Sequence, residues 1–316
     1  MKLSVAMITY NQECFIGQAI ESVLAQKVNF DFEIVIGEDC STDGTRAVIM
    51  DFHQRYPSRI RPLLRDRNLG AMQNLKETLA ACRGRYLALL EGDDYWTQEN
   101  KLQTQINFLD DHPDHAICCH RAQVADETGG GQSRIHPTLP AGTYTFADLF
   151  EGNWMMTGSV MYRWGSVGSL PDWFLNLKMG DWPLHILVGR AGKIHLMDEV
   201  MSVYRIHHGG AWSSLSHLDQ LRATTEMLTA LDKHLGFQFT STIRPTLVRL
   251  YFELACQARQ DGNRSETGRH LISCMRYGGW RLPASRRLLA GLAAYTVIGP
   301  WYKLFSRAKT PTGASQ

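Results

Sequence analysis

Three acids stand together in Glu91-Gly92-Asp93-Asp94, directly after the apolar run Tyr86-Leu-Ala-Leu-Leu90. A run of that length reads as a buried strand, and ligands of open α/β sheets bind beyond the carboxyl ends of the strands. Carboxyl groups crowded there repel one another unless a cation neutralises them. A hard divalent ion such as Mg²⁺ or Mn²⁺ suits oxygen ligands and keeps positions open for phosphate oxygens. The plainer alternative is that Asp94 caps a helix starting near Thr97, with the other acids solvated.

Other residues able to do chemistry also follow strand patterns. Thr9-Tyr10-Asn11 ends the run Leu3–Thr9, and a second buried strand, Phe32–Gly37, leads into Glu38-Asp39-Cys40-Ser41-Thr42-Asp43-Gly44-Thr45. A carboxylate placed like Asp39 can accept the imide N–H of uracil, while Thr42 or Asp43 serves equally well as a helix cap. Asp181 follows Gly180 and opens the helix pattern Trp182–Arg190, a position that suits an N-cap. His207 and His208 precede Gly209-Gly210. A neutral imidazole there can ligate a divalent ion, and a protonated one can pair with phosphate, as Arg205 can permanently. Trp182 is the tryptophan best placed to line a sugar site; for each of Trp96, Trp154 and Trp212 the core is the default.

The elements that must position these groups alternate along the first 120 residues. Helix patterns at Phe15–Gln26, about Thr42–Tyr56, Ala71–Cys82 and about Glu99–Asp111 separate strands at Leu3–Thr9, Phe32–Gly37, Ile60–Leu64, Tyr86–Leu90 and Ala116–His120. That order predicts a mostly parallel sheet with helices on both faces. Residues 126–143, with Gly129-Gly-Gly131 and two prolines, read as a mobile loop. Strands are expected at Gly158–Arg163, Lys193–Met197 and Met201–Ile206. From His217 onward the pattern is helical, through Leu221–Leu235, Ile243–Gln260 and Glu266–Tyr277, which sets a boundary between 1–215 and 216–316.

The order and spacing of these motifs closely resemble the inverting glycosyltransferases of family 2, which have the GT-A fold. The matching pieces are Val5-Ala-Met-Ile-Thr-Tyr-Asn11, Glu21-Ser-Val-Leu-Ala-Gln26, Gly37 to Thr45, Arg67-Asn68-Leu69-Gly70, Glu91 to Trp96, Gly180-Asp-Trp182 and Tyr204-Arg-Ile-His-His-Gly-Gly210. The resemblance covers roughly residues 1–215. It implies that Thr9, Tyr10, Asn11 and the nearby Glu13 form the loop against a nucleotide. Asp39 would read uracil, and the loop holding Asn68 and Gly70 would lie beneath the nucleotide. Glu91-Gly92-Asp93 stands where the family has its DxD-type metal motif, with Glu in place of the usual first Asp. Asp93, then Asp94, are the implied ligands of Mn²⁺ or Mg²⁺, with His207 touching metal or diphosphate and Arg205 pairing with phosphate. Asp181 matches the family's general base, a role compatible with capping. The implied partners are a nucleotide-sugar donor, with UDP expected, and a glycan or lipid-linked acceptor of bacterial cell-surface polysaccharide synthesis. Alternatives of other kinds are a Mg²⁺-dependent nucleotidyltransferase or phosphatase, and a non-catalytic membrane-surface module. No GxxxxGK[ST] loop is present, which counts against transfer from a triphosphate.

Composition bounds the remaining possibilities. The 316 residues are 44% hydrophobic and 20% charged, with net charge +2, so no overall electrostatic case exists for a nucleic acid polymer as partner. Seven scattered cysteines without a CxxC pair read as reduced thiols. Met1–Val5 runs straight into a strand, so a cytoplasmic catalytic part is expected. Between Arg276 and Lys309 lie seven basic residues and no acid. Within that segment the charge-free stretch Leu288–Tyr302 is 15 residues long, short of the ~18 that span a bilayer. With Trp301, Tyr302 and Lys303 it suits peripheral contact with the cytoplasmic face of the inner membrane over 281–309; a helix packed on the rest of the chain is the alternative.

Overall fold

Apolar runs in β1 (Leu3–Thr9), β2 (Phe32–Glu38) and β4 (Tyr86–Glu91) are buried almost throughout, as expected of strands covered on both faces. The computed structural model describes residues 1–129, 133–165 and 170–278. Between those strands run α1 (Ile16–Leu24), α2 (Thr45–Arg55), β3 (Ile60–Leu64) and α3 (Ala71–Ala81). There follow β5 (Tyr95–Trp96), α4 (Lys101–Asp111), β6 (His115–Asp126), β7 (Arg134–His136), β8 (Gly142–Tyr144), β9 (Met161–Arg163), α5 (Asp181–Gly189) and β10 (Lys193–Ile206). The sheet order is β3-β2-β1-β4-β9-β6-β10-β5, with β7 on β6 and β8 on β10. The pairs β2/β3, β1/β2, β1/β4 and β6/β10 are parallel, and β9 runs antiparallel between β4 and β6. This is the expected α/β architecture of a GT-A fold, a mostly parallel sheet flanked by helices.

Register decides where the chemistry falls. Ile8 lies opposite Gly37 on one side and Glu91 on the other, and Thr9 opposite Glu38. The ends of β1, β2 and β4 are therefore level, so the loops that follow them open onto the same edge. The core beneath them is one cluster reaching from Val5, Ile34 and Leu90 to Leu102, Ile106 and Met201.

Several boundaries differ from the sequence expectation. Strand β6 continues to Asp126, and the two short strands expected after Lys193 are one strand, β10, with register shifts between Leu196 and Val200 and between Val200 and Ser202. The exposed Asp198-Glu199 pair breaks the apolar pattern there without breaking the strand. Within 126–143, expected to be loop, β7 and β8 pair with β6 and β10. Three-residue strands carry too little periodicity to be seen in sequence.

The chain divides into two compact units, Met1–Ser214 and Leu215–Gln316. In the second, α6 (His217–His234) starts at Ser216, whose Oγ accepts the Asp219 N–H at 3.1 Å. Helices α7 (Thr240–Gln260) and α8 (Arg264–Arg276) pack through Val248, Ala255, Leu271 and Cys274. All seven cysteines are free thiols. Among the described residues no helix is long and apolar enough to cross a membrane. The segment 281–309, expected to contact a membrane surface, lies outside the described residues.

Candidate active site

The loops after β1 and β2 are stitched together by short polar side chains. Asn11, in the left-handed region at φ 52, accepts the Thr42 N–H on Oδ1 at 2.8 Å and donates its own N–H to Ser41 Oγ at 3.0 Å. Gln12 N–H reaches Thr45 Oγ1 at 2.8 Å, and Glu13 Oε2 accepts the Gly44 N–H at 2.5 Å. These bonds hold Thr42 and Asp43 out of helical geometry, which is why α2 begins at Thr45 and not near Thr42. Tyr10, 44% exposed, projects from the same loop. At the end of β2 the buried Glu38 accepts the Ser41 N–H at 2.6 Å and Arg46 Nε at 2.5 Å. Its neighbour Asp39, 2% exposed, grips the third loop, accepting Leu69 N–H at 2.8 Å and Gly70 N–H at 2.9 Å on separate oxygens. Asn68 Oδ1 accepts the same Gly70 N–H at 3.0 Å.

The acidic turn closes against β1. Gly92 N–H donates to the Ile8 carbonyl at 3.1 Å. A Cβ on residue 92 would lie 2.5 Å from Gln12 Oε1 and 2.8 Å from Thr9 Oγ1, so only glycine fits this approach. Oxygens of Glu91, Asp93 and Asp94 all lie within 4.8 Å of one another. Asp94 is buried and caps no helix; its Oδ1 accepts the Arg205 backbone N–H at 2.8 Å, while α4 starts behind Asn100. His207 Nε2 stands 3.0 Å from Asp93 Oδ2, its ring against Phe15, whereas His208 is exposed. Burial pushes the Glu91 carboxyl well above the ordinary carboxylate range, and the charges of Asp93, Asp94 and Asp181 push it further. Asp94 is raised in the same way, by burial and by Asp93, partly offset by the N–H and charge of Arg205. A donor set of three carboxylates and one imidazole, whose charge Arg205 offsets only in part, fits a hard divalent cation.

Arg205 is not placed as expected for a phosphate contact. It is 7% exposed, its Nε donates to Glu127 Oε1 at 3.0 Å, and its two terminal nitrogens donate to the Asp93 carbonyl and to Gln18 Oε1. Each of the three guanidinium nitrogens thus has a partner inside the protein, using three of its five N–H donors.

Asp181 is the first residue of α5, behind Gly180, and its Oδ2 accepts Asn153 Nδ2–H at 2.7 Å. Its charge contributes to raising the Glu91 carboxyl and the Tyr162 and Tyr204 hydroxyls, and partly offsets the burial that lowers His185. Burial pushes the His185 imidazole down to about 4, and its Nδ1 lies 2.5 Å from Tyr162 Oη. Trp182 corrects the expectation of a sugar-lining ring: it is 7% exposed, and its indole N–H donates to the Leu149 carbonyl at 2.7 Å. Asn153, Gln12, Gln18 and Glu127 were not foreseen; each lies in a loop or on an exposed helix face where nothing local singles it out.

The model of glycosyl transferase family 2 matches residues 4–174, over half the chain, and the protein belongs to that family. An uncharacterized protein of Mycobacterium tuberculosis is 40% identical over 212 residues, 67% of this chain and 61% of the relative, so the chain spans under two thirds of that relative's length. The putative teichuronic acid biosynthesis glycosyltransferase TuaG of Bacillus subtilis is 35% identical over 107 residues, 34% of this chain and 41% of TuaG. Among solved structures, TarS 1–349 of S. aureus in complex with UDP-GlcNAc is similar in fold, with TM-score 0.66, 18% identity, and 94% of this chain and 88% of that one covered.

The raised carboxyls at the turn carry a pH signature. A group whose pKa is higher folded than unfolded contributes stability that is present at low pH and lost as the pH rises from its unfolded value through its folded one. With a chelator present, Glu91→Gln should therefore melt above wild type at neutral pH, and the gap should close toward about pH 4. Mn²⁺ should stabilise wild type more than the variant. Scanning fluorimetry across pH reads this, and equal melting of the two chelated proteins at neutral pH would exclude the repulsion.

Proposed function

We propose that this protein is a metal-dependent, inverting glycosyltransferase that moves a sugar from a UDP-linked donor to a hydroxyl of a glycan or lipid-linked acceptor in cell-surface polysaccharide synthesis. The reading is carried by the acidic turn, braced by His207, and supported by Asp181 at a helix start, whose charge acts on Glu91. Family membership, the UDP-GlcNAc in the TarS complex and the name of TuaG support the donor and acceptor class.

In this reading the uridine lies over the loops after β1 and β2, with Tyr10 as the exposed aromatic and Asp39 as reader of the base. Each Asp39 oxygen accepts one backbone N–H and keeps a further lone pair for the imide N–H. Asp93, Asp94 and His207 would hold Mn²⁺ or Mg²⁺, with Glu91 beside them facing the ribose. The ion, when bound, would stabilise negative charge on the departing diphosphate. Asp181 does the proton chemistry. Asn153 holds its Oδ2, leaving Oδ1 for the acceptor hydroxyl. As that oxygen bonds to the anomeric carbon, the bond to the diphosphate oxygen breaks and its electron pair leaves with UDP. The hydroxyl proton passes to Asp181, and attack from the opposite face inverts the anomeric centre.

Asp181→Asn keeps the Asn153 contact and α5, so transfer should fall by about 10²–10⁴-fold with UDP-sugar binding nearly intact. Full turnover by a folded Asp181→Asn protein would remove the base assignment. Asp93→Ala should weaken divalent-ion-dependent UDP binding. UDP release with and without Mn²⁺, alongside calorimetric UDP titration, measures both, and undiminished transfer by chelated wild type would exclude a metal role.

The basic, apolar sequence of 281–309 supports a peripheral position on the cytoplasmic leaflet, which would bring the site to a lipid-linked acceptor. The full chain should then sediment with anionic vesicles at low salt and be released as salt rises. Failure to sediment with them at low salt would refute the membrane position and leave the transfer chemistry untouched.

A further inference from the structure

We infer that Arg205 is a positioning residue for the acidic turn, holding Asp93 and Asp94 in place for the cation, and not a contact for the donor's diphosphate. This rests on the metal-dependent reading above.

Arg205 grips the turn by main chain and side chain at once. Its backbone N–H donates to Asp94 Oδ1 at 2.8 Å, and one terminal nitrogen donates to the Asp93 carbonyl. The Asp93–Asp94 peptide is therefore fixed on its carbonyl side by a side chain and on its carboxylate side by a main chain. The remaining donors anchor the guanidinium elsewhere, in Glu127 after β6 and Gln18 on α1. The plane is packed between aromatic rings, with Cζ 4.5 Å from the Tyr95 centroid and 5.2 Å from that of Phe15. Two residues further on, His207 meets Asp93. One short stretch at the end of β10 thus holds two carboxylates that repel each other facing the same point.

Geometry also explains why lysine would not serve. Three acceptors in three directions need the fork of a guanidinium, whereas one ammonium on a flexible stem satisfies fewer of them at a time. Outer contacts that orient metal ligands are worth roughly 10–100-fold in metal affinity.

The test uses the full chain with Mn²⁺ alone, its free concentration read by electron paramagnetic resonance, and then UDP titrated at saturating Mn²⁺. For Arg205→Lys and Arg205→Gln the Mn²⁺ dissociation constant should rise by about 10-fold or more. UDP affinity and kcat at saturating Mn²⁺ should return to within a few-fold of wild type. Unchanged Mn²⁺ affinity together with weakened UDP binding at saturating Mn²⁺ would overturn the inference and restore a diphosphate contact. Should either Arg205 variant fail to fold, Gln18→Ala and Glu127→Ala each remove one anchor and should shift Mn²⁺ affinity in the same direction; no shift in either overturns the inference. Wild type that binds no Mn²⁺ at all would instead refute the metal-dependent reading, an outcome distinct from both.

Discussion

Repulsion among three carboxyl groups is the constraint on which the rest of this site depends. Two unit charges 4.8 Å apart repel by about 3 kcal/mol at an effective dielectric of 20, and the oxygens of Glu91, Asp93 and Asp94 are all at least that close. Three such pairs would consume most of the 5–15 kcal/mol that ordinarily separates a folded domain from its unfolded chain. The folded chain responds by keeping Glu91 and Asp94 protonated well beyond the usual range. A cation offers the other solution, and then all three groups can ionise. Stability surrendered by the crowded acids would then return as affinity for a cation.

Such a turn cannot hold itself together, and its restraints come from far along the chain. Arg205 and His207 reach Asp94 and Asp93 across 111 and 114 residues. Strand β10 can deliver them because it pairs with β6 over most of its length and with β5 next to the turn, Val203 opposite Tyr95. On the other side, Gly92 is pressed onto β1. The sheet therefore acts as a frame: its register brings the ends of three early strands level, and its last strand closes the site from across the sheet.

This division explains how much of the molecule was legible in sequence. Strands β1, β2 and β4 show as continuous apolar runs, and the acids stand where those runs stop, so the sheet and the turn could be read locally. Partners could not. Arg205 has the charge for a phosphate, and only the fold reveals that Glu127, Gln18 and the Asp93 carbonyl hold its guanidinium. Trp182 has the ring for a sugar, yet its N–H is committed to the Leu149 carbonyl inside the core. Asn153 sits in an aperiodic stretch, and its relation to Asp181 exists only in three dimensions. The break at Asp198-Glu199 hid the continuity of β10, because sequence records which side chains are exposed and not which backbone hydrogen bonds persist.

The two halves of the proposed reaction are joined through α3. That helix begins behind Gly70, whose N–H is held by Asp39, so its start is fixed by the acid that would read the base. Within its first five residues, Met72 and Leu75 press against Gly180 so closely that a Cβ there would come within 2.6 Å of Leu75 Cδ2 and 3.2 Å of Met72 Sδ. Gly180 immediately precedes Asp181, so the start of α5 and the carboxylate it carries are set by the same helix. A base that must meet a hydroxyl within a few tenths of an ångström needs a rigid path back to the donor's anchor. Here the path runs from Asp39 to Gly70, along the first turn of α3 and across one close contact to Asp181. A side chain at residue 180 would have to displace the ends of Leu75 and Met72.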